Sequence, residues 1–273
     1  MKTAFKILPE ISSQKDYDLL IELGRGGLSM TWYTRSPLHI EGLFIYHAEK
    51  NADDSALATD LQRMLASEAL PPYRSCRICY NFKEGMLVPD AFYSESTRAA
   101  MMDDVYGADP TAKYYAETLY GINARYVYRV PQAIDEAIHN RFFNAAVFHT
   151  NACLIAAEKQ ADLYCVIYNS YIKCIVRNNG QLQLVQSYDY QTPSDVAYHL
   201  LNICRQHELS PETATLTLSG FIDRQSNLYE EIYRYFLHVE LDEFPAEAGL
   251  AEEIKAYPSH FFSYLVNLIQ CAS

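Results

Sequence analysis

Two sets of turn residues carry the side chains and glycines that could bind a phosphate group. The first is Glu22-Leu23-Gly24-Arg25-Gly26-Gly27, in which a carboxylate precedes a run rich in glycine. Glycine lets backbone amides approach a phosphate, and a carboxylate is a ligand that suits Mg²⁺. The second set lies in the other half of the chain and consists of Asn169, Ser170, Ser219 and Gly220. Both sets are therefore candidates for binding a phosphate group.

Each set also has a simpler structural interpretation. Leu28 to Tyr33 alternates apolar and polar residues as a strand does, so the glycines would form a hairpin turn. A strand, not a helix, follows the glycines, and this excludes a dinucleotide-binding fingerprint. Asn169-Ser170 is equally typical of a plain β-turn. Both interpretations stay open at this stage.

Cys76-Arg77-Ile78-Cys79 is a lone CxxC sequence. Zinc needs four ligands, and no second CxxC or paired histidine stands nearby. If this segment is a strand, thiols three positions apart face opposite sides of it. We therefore expect structural cysteines and no metal site.

Four acidic residues near the first strands could suggest a ribonuclease-H-type metal site. They are Glu41, Glu49, Asp53 and Asp54. The segment 49–54 is more simply a solvated turn that begins a helix, with Asp53 or Asp54 among its N-cap candidates.

The elements that carry these turns follow one order in both halves of the chain. From Asp18 and again from Asp162, three strands joined by turns precede a helix. In the second copy, Asn178-Asn179-Gly180 predicts a tight hairpin, and Thr192-Pro193 predicts the start of the helix. Further strand and helix patterns follow in each half. The order is β-β-β-α-β-α, twice in tandem.

Between the two copies, the first half holds additional segments. A strand ending near Phe82, a returning strand at Met86-Leu87-Val88 and a strand over residues 125–130 predict an inserted hairpin with helices. Residues 90–121 look helical or irregular, broken by Gly107 and Pro110. We predict a first subdomain over residues 1–160 and a second over residues 161–273.

This tandem order resembles the actin-like ATPase and sugar-kinase architecture, an α/β fold with two ribonuclease-H-like subdomains around a cleft. The resemblance implies phosphate loops at Glu22–Gly27 and at Tyr168-Asn169-Ser170, and an adenosine contact at Ser219-Gly220-Phe221. Active members have aspartates where this chain has Glu22 and the uncharged Asn169, and a Gly-Gly pair where it has one glycine. The comparison therefore implies a cleft whose catalytic parts are degenerate.

The chain also resembles a bacterial domain-of-unknown-function family, number 3822, over nearly its whole length. The resemblance rests on a set of short motifs: Asp18-Leu19 with its glycine loop, Met86-Leu87-Val88-Pro89, Tyr128-Arg129-Val130-Pro131, Phe143-Asn144-Ala145, His149 and Asp162-Leu163. It implies an actin-like ATPase fold without an assigned activity. The nearest functional analogy is the actin-like platform protein of type IV pilus and secretion machinery, which binds the tail of a partner.

Charge and composition narrow the range of partners. The chain of 273 residues has a formal net charge of −12, so the overall field repels a nucleic-acid backbone. Its seven cysteines, an odd number, suit reduced thiols in the cytoplasm. The apolar run Phe261–Ile269 is far shorter than the ~20 residues that span a bilayer. We expect a cytoplasmic protein without a membrane span that binds no nucleic acid.

These observations lead to one preferred hypothesis and two alternatives. The preferred one is a catalytically inactive scaffold that binds another protein and needs no cofactor. The first alternative is an ATP-binding actin-like ATPase or kinase-like switch that uses Glu22, Mg²⁺ and the amides of residues 24–27. The second is a receptor that binds a peptide at a sheet edge or in a groove.

Overall fold

The structure of the protein is a computed structural model that describes residues 1–9, 16–49, 52–119, 121–157 and 161–271. The chain divides into two compact units. The first comprises Met1–Ala156 with Glu247–Ile254, and the second Ala157–Ala246 with Lys255–Cys271. The predicted pair of actin-like subdomains, residues 1–160 and 161–273, stays a prediction. The structure adds that a late segment of the chain groups with the first unit.

Both units contain strands and helices. Within the described residues the strands are β1 (Lys2–Ile7), β2 (Asp18–Gly24), β3 (Gly27–Arg35), β4 (Leu38–His47), β5 (Ser75–Tyr80), β6 (Gly85–Pro89), β7 (Ala112–Leu119), β8 (Ala124–Pro131), β9 (Ala146–His149), β10 (Leu163–Ile167), β11 (Tyr171–Asn178), β12 (Gln181–Asp189), β13 (Thr215–Gly220), β14 (His238–Leu241) and β15 (Gly249–Leu250). The helices are α1 (Asp54–Ser67), α2 (Arg98–Tyr106), α3 (Gln132–Arg141), α4 (Thr150–Ala156), α5 (Pro193–Gln206), α6 (Asn227–Tyr233), α7 (Glu252–Lys255) and α8 (Ser263–Cys271).

The core sheets of the two units have the same strand order. In the first unit the order is β4-β3-β2-β5-β9, extended by β1 and β15, which both pair with β4. In the second it is β12-β11-β10-β13-β14. In each sheet the first three strands are antiparallel, and the fourth and fifth run parallel to the first. The predicted β-β-β-α-β-α repeat is present in both units.

Local sequence explains why the repeated elements begin and end where they do. Helix α1 starts at the N-cap Asp53, whose carboxylate accepts the amide of Ala56. Helix α5 starts with a capping box between Thr192 and Asp195, and Pro193 occupies the first position of the helix. The turn between β11 and β12 places Asn179 and Gly180 at positive φ, as the Asn-Gly pair predicts. These elements form as the sequence predicted.

The first unit also contains an inserted three-stranded sheet in the order β6-β8-β7, with α2 against one face. The segment 90–121, which looked helical or irregular, holds both α2 and the strand β7. The irregular interpretation was therefore wrong for Ala112–Leu119, because pairing with β8 selects the extended conformation over local propensity.

Candidate functional site

The predicted site residues lie at the carboxyl end of β2 in the first unit and at the carboxyl ends of β10 and β13 in the second. In open α/β sheets, ligands bind at the carboxyl ends of strands where the strand order reverses. In the first unit this position is the junction of β2 and β5, where Glu22 and the glycine turn lie. In the second it is the junction of β10 and β13, where Asn169, Ser170, Ser219 and Gly220 lie. Within each unit, the structure brings the predicted residues to the expected edge.

Glu22 is buried in a hydrogen-bonded network of neighbouring strands. Its side chain is 5% exposed, and its Oε1 accepts the amide Nδ2 of Asn81 at 2.8 Å. The hydroxyl of Thr150 donates to the same oxygen at 3.2 Å. Asn81 follows β5, and Thr150 follows β9, so three parallel strands contribute to this network. The carboxylate is held by the protein's own side chains.

Arg25, in the turn after Glu22, is bound by two carboxylates. Its Nη1 lies 2.6 Å from both oxygens of Glu84, and its Nε lies 2.8 Å from Oδ1 of Asp54. The guanidinium carbon also lies 5.4 Å from the ring centroid of Phe82. Burial lowers the pKa of Arg25, but its hydrogen bonds to Asp54 and Glu84 outweigh burial and raise that pKa above its usual value. The positive charge of this turn is already neutralised.

The glycine run forms a two-residue hairpin turn between β2 and β3, as the structural interpretation predicts. Gly24 pairs with Gly27 across the turn, and the carbonyl of Gly26 accepts the amide of Ala48. Gly27 has a φ of +139°, and a Cβ there would lie 2.0 Å from the carbonyl oxygen of Tyr46. Backbone packing alone therefore requires glycine at this position.

In the second unit, the turn after β10 is closed by aromatic packing. Tyr168 donates its amide to the carbonyl of Tyr171 at 3.0 Å, and the two rings stack 4.5 Å apart. The ring of Tyr264 meets Tyr168 edge-on at 5.6 Å. In the turn between Tyr168 and Tyr171, Asn169 is exposed and Ser170 is half-buried. The large Tyr168 side chain is thus fixed at the carboxyl end of β10.

Ser219 and Gly220 are engaged in packing within the same unit. The hydroxyl of Ser219 lies 2.7 Å from that of Ser263 and 3.1 Å from the carbonyl oxygen of His260. Gly220 has a φ of +84°, and a Cβ there would lie 2.3 Å from the carbonyl oxygen of Ile167. Both residues are buried.

Sequence reasoning missed the partners that hold these residues. They are Asn81, Thr150, Asp54 and Glu84 in the first unit and His260 and Ser263 in the second. An available signal was the polar residue directly after each parallel strand, since Asn81 and Thr150 follow β5 and β9. Their pairing with Glu22 depends on strand order, which local patterns do not give.

A cluster of tyrosines around His149 was also missed. The rings of Tyr126 and Tyr128 each lie 4.7 Å from the His149 ring, and Tyr115 stacks on Tyr128 at 5.4 Å. Nε2 of His149 lies 2.9 Å from the carbonyl oxygen of Phe82, and Nδ1 lies 3.1 Å from the amide of Asn151. Because a carbonyl accepts and an amide donates, the proton of this neutral imidazole is on Nε2.

The remaining candidates have structural roles. Burial raises the pKa of the Cys76 thiol to about 12, and Cys79 is fully buried. Asp53 caps α1 and Asp54 binds Arg25, while Glu41 pairs with His39 at 3.2 Å. No group of three or more His, Cys, Asp or Glu side chains placed to hold a metal ion occurs in the described ranges.

The same architecture occurs in solved structures. A Bacteroides thetaiotaomicron protein with an actin-like ATPase fold and unknown function is 17% identical, with a TM-score of 0.74 over 96% of this chain and 98% of that one. A PilM–PilN type IV pilus biogenesis complex is similar at 12% identity, with a TM-score of 0.58 over 94% and 98%. The cytoplasmic domain of EpsL, an inner membrane component of the type II secretion system of Vibrio cholerae, is similar at 13% identity, with a TM-score of 0.51 over 94% of each chain. The protein has the predicted actin-like ATPase fold.

Residues 9–239 match the family described as "Protein of unknown function (DUF3822)", and the chain belongs to this family. The resemblance inferred from the short motifs is confirmed. A comparison with curated proteins finds no match. Among the helices of the described residues, none has the length and apolar character needed to cross a membrane.

Proposed function

We propose that this protein is a catalytically inactive actin-like scaffold that binds another protein, with a degenerate nucleotide cleft. The observation that carries the proposal is the burial and hydrogen bonding of the Glu22 carboxylate. Its carboxylate is buried and accepts hydrogen bonds from Asn81 and Thr150, two side chains of its own sheet. A carboxylate bound in this way is a structural anchor, because exchanging its partners for a metal-bound water would leave two buried donors unsatisfied.

The neighbouring turns support the same conclusion. Arg25 is neutralised by Asp54 and Glu84, so it offers little attraction to a phosphate. In the second unit Tyr168 fills the end of β10, and Asn169 lacks the negative charge that Mg²⁺ ligands usually carry. These residues do not fit Mg-ATP. The scaffold proposal therefore needs no nucleotide.

The proposed partner is a protein. PilM is part of a type IV pilus biogenesis complex and EpsL of a type II secretion system, and both have this fold. A net charge of −12 argues against nucleic acid as the alternative partner. Cys76, Cys79, Cys165, Cys174 and Cys204 are reduced thiols, which is consistent with a cytoplasmic location.

One observation favours a working nucleotide-binding switch as the second candidate. Asn169 and Ser170 lie at the carboxyl end of β10 with exposed or half-exposed side chains, and Glu22 keeps a carboxylate at the corresponding end of β2. In that case Mg-ATP would stabilise the fold measurably. A ligand at 100 times its dissociation constant adds about 2.7 kcal/mol to the free energy of unfolding.

Thermal unfolding with and without millimolar Mg-ATP separates the two candidates. We expect no increase in the melting temperature with Mg-ATP, Mg-ADP or Mg-GTP. Glu22→Gln tests whether any shift in melting temperature depends on the carboxylate, since it removes the charge and keeps an acceptor for Asn81. Thr192→Ala, which removes the α5 cap in the other unit, is the control for a general loss of stability. A shift in the wild type and in Thr192→Ala that disappears in Glu22→Gln would overturn the inactive-scaffold proposal.

Binding to a protein partner is tested separately. A tagged full-length chain is crosslinked in cells, and the crosslinked residues are mapped by mass spectrometry. We expect one partner protein crosslinked at a defined surface, to the same extent in the wild type and in Glu22→Gln. The absence of any crosslinked partner would contradict the proposal. It would also be contradicted if the partner crosslinked only to the wild type and only in the presence of nucleotide.

A further inference from the structure

The outer edge of β12 is an open strand edge. β12 is the end strand of the second unit's sheet and pairs only with β11 in the part of the chain that the structure describes. Its register shifts once, so Gln183 forms a bulge, and Leu184–Asp189 then pairs regularly with β11. Leu184-Val185-Gln186-Ser187-Tyr188 contains no charge and no proline. Proteins usually protect such edges with charged residues, prolines or a covering element.

The first unit shows how the equivalent edge is covered. β4 occupies the position of β12 in the repeated strand order, and its register with β3 also shifts once, at Glu41. The segment after that bulge, Leu43–His47, pairs on its outer side with the antiparallel strand β1. The repeat therefore defines a strand position that is filled in the first unit. Among the described residues, nothing fills it beside β12.

The sequence of β12 is suited to pairing with itself. Two antiparallel strands related by a two-fold axis perpendicular to the sheet, centred on Gln186, place Leu184 opposite Tyr188 and Val185 opposite Ser187. Gln186 would face Gln186 of the second copy, where two amides can exchange hydrogen bonds. No like charges oppose each other in this register, since Asp189 faces Gln183.

Side chains beside this edge add apolar surface on the same face. The ring of Tyr188 stacks on His199 of α5 at 4.7 Å. Next to His199, Tyr198 is 66% exposed, with its ring 5.5 Å from the imidazole. A two-fold axis perpendicular to the sheet keeps both α5 helices on one face, so these aromatic rings flank the seam from both copies.

We propose that β12 is a homodimer interface, in which Leu184–Tyr188 of two copies pair as antiparallel strands centred on Gln186. The second copy takes the position that β1 takes in the first unit. This inference goes beyond the scaffold function and does not depend on nucleotide binding. Because each chain carries a net charge of −12, dimerisation should strengthen as salt screens the repulsion between copies.

The test measures the mass of the full-length chain by sedimentation velocity across micromolar concentrations. The wild type is expected to dimerise. Gln186→Lys and Gln186→Glu each place like charges opposite each other and should raise the dissociation constant of the dimer about tenfold or more. An equimolar mixture of the two variants pairs Lys with Glu and should restore dimers. Gln186 is exposed, so neither variant should impair folding, which circular dichroism checks.

Gln181→Lys is the matched control, because it adds the same charge on the same strand before the bulge. It should leave the dimer unchanged. A wild-type chain that stays monomeric at every concentration would overturn the proposal. Dimers that persist in both Gln186 variants would also overturn it. The same holds if the two variants are monomeric alone and their equimolar mixture stays monomeric. None of these outcomes depends on the Mg-ATP experiment, so the two proposals fail separately.

Discussion

The side-chain amide of Asn81 donates a hydrogen bond of 2.8 Å to Oε1 of Glu22, and this bond joins the ends of β2 and β5. The two residues are 59 positions apart in the chain and both buried. The residue that most resembles a catalytic carboxylate is thus part of the packing between parallel strands.

A double-mutant cycle measures what this bond contributes. Glu22→Ala leaves the donors of Asn81 and Thr150 without that acceptor and should lower the free energy of unfolding by about 1–3 kcal/mol. Asn81→Ala should cost a similar amount. The double variant should lose less than the sum, with a coupling of about 0.5–3 kcal/mol in urea unfolding. Additive losses would show that the bond contributes little.

Gly220 should tolerate no side chain. Gly220→Ala forces alanine into a positive φ and places its Cβ against the carbonyl oxygen of Ile167, so it should cost more than about 1 kcal/mol. Gly180→Ala is the matched control: its φ is +75°, but nothing lies within 4 Å of the added Cβ. The difference between the two in urea unfolding isolates the steric part. Equal losses would contradict the predicted overlap.

Asp18 makes stability depend on pH in the acid range. Burial raises the pKa of this carboxyl, but hydrogen bonds from Ser75, Arg74 and Arg35 outweigh burial and hold its pKa below the usual value of 3.8. The resulting stabilisation is complete above the unfolded pKa and is lost as the pH falls below it towards the folded pKa.

Thermal unfolding between neutral pH and pH 3 tests this prediction. Asp18→Asn should be destabilised by about 1–3 kcal/mol at neutral pH, with a weaker fall in acid than the wild type. Asp104→Asn, on an exposed position of α2, should follow the wild-type profile. Parallel profiles for Asp18→Asn and the wild type would disprove a role for this carboxyl.

His149 should show one tautomer. Its contacts with the Phe82 carbonyl and the Asn151 amide assign the proton to Nε2. Nitrogen-15 NMR of a histidine-labelled chain at neutral pH should therefore show a neutral ring with a protonated Nε2 and an unprotonated Nδ1. Asn151→Ala, which retains the backbone amide, should preserve this pattern. An Nδ1-protonated ring would refute the assignment.

The repeat could be predicted from the sequence because its signals are local. The Asn178-Asn179-Gly180 turn, the cap at Thr192 and the apolar strands each specify their own segment. The covering strands β1 and β15 could not be predicted in this way. β15 has only two residues, and both strands are defined by their pairing with β4.

The candidate site was predicted only in part for the same physical reason. Glu22, Arg25 and the glycines stand out as residue types, but their state depends on distant partners. Glu84 is 59 residues from Arg25, and Thr150 is 128 residues from Glu22. Sequence spacing therefore located the turns and could not show that their charges are already matched.

The pairing of β15 with β4 has a consequence for how the chain is made. Gly249 and Leu250 lie beside His39 and Ile40, and the amide of Ala251 donates to the carbonyl of Ile40. On the ribosome, the first unit therefore emerges long before the last piece of its own sheet. It can complete that sheet only after all five core strands of the second unit have been synthesised. A fragment ending at residue 160 would carry an unfinished edge at β4, so the two halves are expected to mature together rather than in succession.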